Sequence, residues 1–120
     1  MGVTRKVIKE GNGVDHPQKG DLVGMEYTGY LHDEAAAANE YKGKKFDSSE
    51  GRGLFETPIG VGKVIRGWDE GVVQMTLGEK ATLTISGDYA YGNRGFPNLI
   101  PPNATLIFVV ELKKINAKSV

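Results

Sequence analysis

Apolar residues recur at every second position in three stretches of the chain and shift once to a helical spacing. From Leu22 onward, Val23, Met25, Tyr27 and Leu31 fall on one side while Glu26 and Thr28 fall on the other. This alternation predicts a strand with one buried face, loosened by Gly24 and Gly29. Ala81, Leu83 and Ile85 alternate with Lys80, Thr82 and Thr84. Leu106, Phe108, Val110 and Leu112 repeat the pattern in a longer strand ending near Ile115, whose other face begins apolar (Ile107, Val109) and ends charged (Glu111, Lys113). Val3 to Lys9 mixes β-branched and basic residues, as an edge strand guarded by charge does. Phe46, Phe55 and Ile59 lie in an extended, glycine-punctuated region where Pro58 restricts any strand to an edge or a bulge.

The helical spacing belongs to Ile65, Trp68 and Val72, at i, i+3 and i+7, with Asp69 and Glu70 on the solvated side. Gly67 and Gly71 give this short helix poor intrinsic propensity, so packing must hold it. Residues 32–44 form an alanine-rich excursion whose four alanines could support one helical turn, but which is expected to be a mobile loop because so short a segment is not stable alone in water. A loose tail is expected from Asn116. The elements predict an α+β domain, an antiparallel half-barrel sheet with one short helix across one face, in a single unit spanning residues 1–120.

Composition narrows the chemistry. Fifteen basic residues balance fifteen acidic ones in 120, so no electrostatic footprint for nucleic acid or anionic lipid is expected. No apolar run approaches the roughly 20 residues of a membrane span, and no charged-then-apolar leader is recognisable. Cytoplasm is the expected location, with the nucleus open to so small a protein. The absence of cysteine excludes disulfides, thiol nucleophiles and cysteine-based zinc sites. His16 and His32 lack ligand partners at metal-binding spacing and read as solvated, so no metal is expected. Gly60-Val61-Gly62 lacks the third glycine of a dinucleotide fingerprint, and no cofactor is expected. Ser48, Ser49 and Ser86 have no nucleophile-elbow context. Asp69 and Glu70 read as a solvated helix face rather than an acid–base pair.

The aromatic residues remain. Tyr27, Phe46, Phe55, Trp68, Tyr91 and Phe108 are compatible with an ordinary core. Two observations favour a site instead: buried Tyr and Trp carry polar groups that want partners, and Phe96, Leu99 and Ile100 lie in a long connection, where apolar residues suggest a ligand-facing rim.

Five ordered segments carry a resemblance. They are Tyr27-Thr28-Gly29, Gly43-Lys44-Lys45-Phe46-Asp47-Ser48-Ser49, Val64-Ile65-Arg66-Gly67-Trp68-Asp69-Glu70-Gly71, Asp88-Tyr89-Ala90-Tyr91-Gly92 and Ile100-Pro101-Pro102-Asn103-Ala104-Thr105-Leu106. Over about residues 2–115 the chain resembles the FKBP family of peptidyl-prolyl isomerases, which bind the macrolides tacrolimus and rapamycin. The resemblance implies a five-stranded half-barrel around the helix. It implies Trp68 as pocket floor, with Tyr27, Phe46, Val64, Ile65 and Phe108 as walls and Phe55, Phe96 and Ile100 as rim. It further implies that Asp47, Tyr91 and the Ile65 N–H hydrogen-bond a ligand, with Arg52 pairing near Asp47; Asp47 alternatively only orders Tyr27 and Arg52. The implied catalytic set is Tyr27, Phe46, Asp47, Trp68, Tyr91 and Phe108. Implied partners are proline-containing peptides and proteins and, through a drug complex, calcineurin or the TOR kinase; a monomer is expected. The competing expectation is a non-catalytic module that docks a partner's proline loop. The chain departs from the family pattern in three places: the 32–44 excursion, placed near the pocket side; a Gly53–Pro58 stretch one residue short; and Phe96 where several members have His.

Overall fold

The computed structural model describes residues 2–120. Seven strands and one α-helix are present: β1 (Val3–Lys9), β2 (Leu22–His32), β3 (Lys42–Ser48), β4 (Phe55–Pro58), α1 (Arg66–Gly71), β5 (Lys80–Ile85), β6 (Leu106–Ile115) and β7 (Lys118–Ser119). All pairings are antiparallel, in the spatial order β1-β5-β6-β2-β3. These are the five expected sheet positions. The fifth is shared, since β3 pairs with Thr28 to His32 of β2 and β4 with Leu22 to Met25. β7 only folds back on the end of β6. β1 and the Pro58 strand occupy edges, where missing or guarded ladder donors cost least.

Register turns the period-two pattern into two faces. Leu83 lies opposite Phe108, which lies opposite Gly29, while Ala81, Val110 and Tyr27 form the next row. Val23, Met25, Ala81, Leu83, Ile85, Leu106, Phe108, Val110 and Leu112 are buried on this inner face, together with Trp68 and Val72. Helix α1 closes on it so tightly that a Cβ added at Gly67 would lie 2.4 Å from Ile85 Cγ2. The glycine that weakens the helix in isolation is what lets it dock. Conformational cost is thereby offset by burial, at about 25 cal/mol per Å² of apolar surface.

The outer face carries Lys6, Thr82, Val109 and Thr28 in one row and Lys80, Glu111 and Glu26 in the next. The 32–44 excursion folds toward this face rather than the pocket side expected, and carries the one helical turn that four alanines could support. β2 runs through His32 and β3 begins at Lys42, which reduces the excursion to residues 33–41. Asp33 caps a 3₁₀ segment, Glu34–Asn39, by accepting from Ala35 N–H. Asp33 N–H donates to the Tyr41 carbonyl at 2.9 Å. Glu40 then accepts from Lys6 Nζ at 3.0 Å and Lys42 Nζ at 3.1 Å. His32 is not simply solvated: its ring stacks on Tyr41, centroids 5.0 Å apart and 5° from parallel. The tail from Asn116 is also tied down, because Asn116 exchanges two hydrogen bonds with the Leu22 backbone and Lys118 pairs with Asp15 at 2.9 Å.

Candidate active site

Trp68 projects from α1 with 5% exposure. Three rings meet it edge-on: Tyr27 at 4.9 Å, Phe108 at 5.1 Å and Phe55 at 5.7 Å between centroids. Phe46 meets Phe108 at 5.5 Å and 84°. Such edge-to-face pairs contribute about 0.5–1.5 kcal/mol each beyond area burial, so the rings hold one another in place. The cluster does not fill its space. Tyr27, Phe46, Asp47, Phe55, Val64, Ile65, Trp68, Tyr91 and Phe108 line a cavity of about 290 Å³, together with Lys63.

Two polar groups face this space unspent. Among the described residues, the Ile65 N–H, just before α1, makes no backbone hydrogen bond, although its carbonyl accepts from Trp68 and Asp69. Tyr91 is 38% exposed, and burial first, then the Asp47 charge, raises its hydroxyl above the ordinary tyrosine range. Beneath them, the buried Trp68 Nε1–H has no acceptor.

Asp47 is engaged through both oxygens. Its Oδ2 accepts from Tyr27 O–H at 2.8 Å, and its Oδ1 accepts from Ser48 N–H at 2.8 Å and Arg52 Nη2 at 3.0 Å. Burial, then the hydrogen bond to Asp47, pushes Tyr27 up to about 12. This geometry gives Asp47 an ordering role, while Oδ2, which accepts from Tyr27 alone, keeps capacity for a further donor at the cavity. Arg52 sits against Asp47 as implied but does not line the cavity.

The wall formed by Val64 and Ile65 is placed by a side chain that sequence reasoning misread. Asp69 is not merely a solvated helix residue: its carboxylate accepts from Gly60 N–H at 2.7 Å and Gly62 N–H at 2.9 Å. Both glycines adopt φ near +80°, a left-handed conformation that glycine reaches without strain. Glu70 does behave as expected, pairing with Arg66 one turn away at 2.6 Å. Asp69's partners are backbone groups, which leave no side-chain signature in a sequence.

The rim expectation needs correction at Ile100, which is 5% exposed and packed in the core rather than at the mouth. The Phe96 and Ile100 backbones exchange hydrogen bonds at 2.8 Å, turning the loop so that Ile100 faces inward. Phe96 is half exposed and meets the Tyr91 ring edge at 6.1 Å, but does not line the cavity. Lys63 was missed, because an exposed lysine in a glycine-rich loop gives no signal of convergence. A slightly larger concavity of about 320 Å³ lies on the outer side, bordered by Glu26, Thr28, Ser48, Glu50, Lys80 and Glu111. Tyr27 is the one ring among its lining residues, so the aromatic cavity, where rings converge, is the candidate site.

Comparison with known proteins agrees. A family profile described as FKBP-type peptidyl-prolyl cis-trans isomerase matches residues 13–113. The chain belongs to that family. Among FKBP relatives it is 62% identical over 115 residues to FK506-binding protein 1B of Aspergillus fumigatus, covering 96% of this chain and 95% of the relative. It is likewise 62% identical to FK506-binding protein 1 of Gibberella zeae, covering 96% and 99%. A protein of Schizosaccharomyces pombe named peptidyl-prolyl cis-trans isomerase is 59% identical over 119 residues, 98% of each chain.

Proposed function

We propose that the aromatic cavity binds an Xaa–Pro segment with the proline ring over Trp68 and catalyses rotation about the Xaa–Pro bond. The observation that carries this reading is the open, ring-lined space with the Ile65 N–H and Tyr91 hydroxyl unspent at its edge. Amide rotation faces a barrier of about 18–20 kcal/mol because it breaks resonance, and unassisted X–Pro exchange takes tens to hundreds of seconds. An acceleration of roughly 10⁴- to 10⁶-fold requires about 5–8 kcal/mol of transition-state preference.

No bond is made or cut. The planar amide is the more charge-separated form, so a site that withholds water penalises it relative to the twisted one. Preferential binding of the twisted geometry lowers the barrier. The Ile65 N–H and Tyr91 O–H orient the peptide carbonyls, each worth about 1–1.5 kcal/mol. Tyr27, Phe46 and Phe108 shape the walls, and Asp47 with Arg52 holds Tyr27 in position. The same cavity accepts tacrolimus, as the FK506-binding names of the relatives support, and rapamycin. The drug complex presents a composite surface to calcineurin or the TOR kinase. The protein acts as a monomer in the cytoplasm.

The test is exchange spectroscopy on a Leu-Pro peptide, with and without equimolar rapamycin. Catalysed exchange that rapamycin abolishes is expected; at saturating peptide Tyr91→Phe keeps most of the rate, because its hydroxyl holds the planar and twisted forms alike, and Phe46→Ala loses most of it. Absence of catalysed exchange in a folded sample overturns the reading.

A further inference from the structure

The charge at the cavity mouth is uneven, and the imbalance falls on Lys63. The charged residues lining the cavity are Asp47 and Lys63. Asp47 is offset by Arg52 at 3.0 Å, and both its oxygens are engaged. Lys63 is exposed and forms no salt bridge or hydrogen bond through its side chain among the described residues. Its backbone position is nonetheless set: Asp69 holds the preceding loop at Gly60 and Gly62, and Val64 and Ile65 follow directly in the wall. An exposed lysine without a side-chain partner therefore borders the cavity on an anchored loop.

We propose that Lys63 is a specificity-determining residue that favours Xaa–Pro segments bearing a carboxylate next to the dipeptide and disfavours those bearing a cation. This rests on the peptide-binding reading above and adds its substrate class. The physical basis is a charge that has no internal partner to lose on binding. A carboxylate approaching it gains attraction without breaking an existing pair, whereas a lysine meets repulsion. Asp47 offers a cation less attraction than a free carboxylate would, because Arg52 pairs with it at 3.0 Å.

The experiment uses peptides with a Leu-Pro core carrying Glu, Gln or Lys immediately after the proline and, in a second set, immediately before the leucine. The catalytic efficiency of isomerisation is measured for the native protein and Lys63→Glu at low salt and at 1 M salt. In at least one set, the Glu peptide is expected to exceed the Lys peptide by about two- to five-fold, the scale of an exposed ion pair. Lys63→Glu inverts that order. At 1 M salt, where the screening length is about 3 Å, the ratio falls toward one. The proposal is overturned if neither set discriminates, if Lys63→Glu keeps the native ratio, or if the preference survives high salt. The Gln peptides separate the two levels of argument: their turnover without charge discrimination removes only the role of Lys63, whereas no turnover of any peptide removes the isomerase reading and this inference together.

Discussion

Gly29 is where fold and site meet most tightly. It lies in β2 opposite Phe108 on one side and Asp47 on the other. A Cβ added there would stand 2.7 Å from Phe108 Cε1 and 2.8 Å from Phe46 Cζ. Non-bonded carbons settle at about 3.5–4.0 Å, so each ring must retreat by about 1 Å. Phe108 is 3% exposed and backed by Trp68 at 5.1 Å, which leaves the cavity as the available direction. Gly29→Ala therefore incurs about 1–3 kcal/mol of overpacking and recovers about 0.5–1 kcal/mol from the stiffer unfolded chain. The net loss is about 0.5–2 kcal/mol, lowering Tm by about 2–8 °C for a domain of this size. Activity suffers more, since a misplacement of about 1 Å can cost on the order of 10²-fold. A 10- to 100-fold fall in kcat/KM on a Leu-Pro peptide is expected, read by exchange spectroscopy beside a thermal melt. Gly24→Ala is the control on the same strand, where the new Cβ would meet Lys114 Cβ at 3.1 Å and Leu54 Cδ1 at 3.2 Å, away from the cavity. It should leave kcat/KM unchanged. If Gly29→Ala keeps kcat/KM within about two-fold of native, or both variants lose activity equally, the steric argument is wrong.

Two further outcomes follow from the electrostatics. Because Tyr27 is raised to about 12 and Tyr91 is raised as well, neither hydroxyl ionises below pH 9, so the isomerisation rate should be flat between pH 5 and 9; a bell-shaped profile would indicate proton transfer instead. The raised Tyr27 also favours the folded state fully below its unfolded value near 10. That contribution is lost as pH climbs from about 10 toward 12, and denaturant melts should show Tyr27→Phe removing this alkaline fall. Glu79 is 4% exposed and accepts from Arg5 at 2.6 Å and from Thr76 N–H at 3.2 Å, so Arg5→Ala leaves the buried carboxylate with the Thr76 bond alone and should cost about 2 kcal/mol in chemical denaturation; a loss under about 0.5 kcal/mol would show the pair to be dispensable.

Most strands were legible in the amino-acid order, because a half-buried strand must alternate and β2, β5 and β6 do so. The helix stripe through Trp68 was legible for the same reason, at its own period. The excursion was not. Its order comes from the Asp33 cap, the left-handed Glu40 and Tyr41, and the Glu40–Lys6 contact, which joins residues 34 positions apart. Asp69 was misread because its partners are backbone N–H groups, and Lys63 was overlooked because an exposed lysine in a glycine-rich loop gives no sign that it borders a cavity. Ile100 shows the limit from the other side. An apolar residue in a loop suits a rim or a core equally, and here the Phe96–Ile100 pairing turned it inward.

Local pattern and motif therefore establish the α+β class, the strand and helix assignments and the family, since each depends on residue type at short spacing. The cavity does not. Its walls come from β2, β3, β4, β6, α1 and two loops, brought together by strand register and by glycines that permit close approach. Whether those rings would pack solid or leave about 290 Å³ open is a matter of non-local distances. Periodicity reports which way a side chain faces, but not how far away its partner stands.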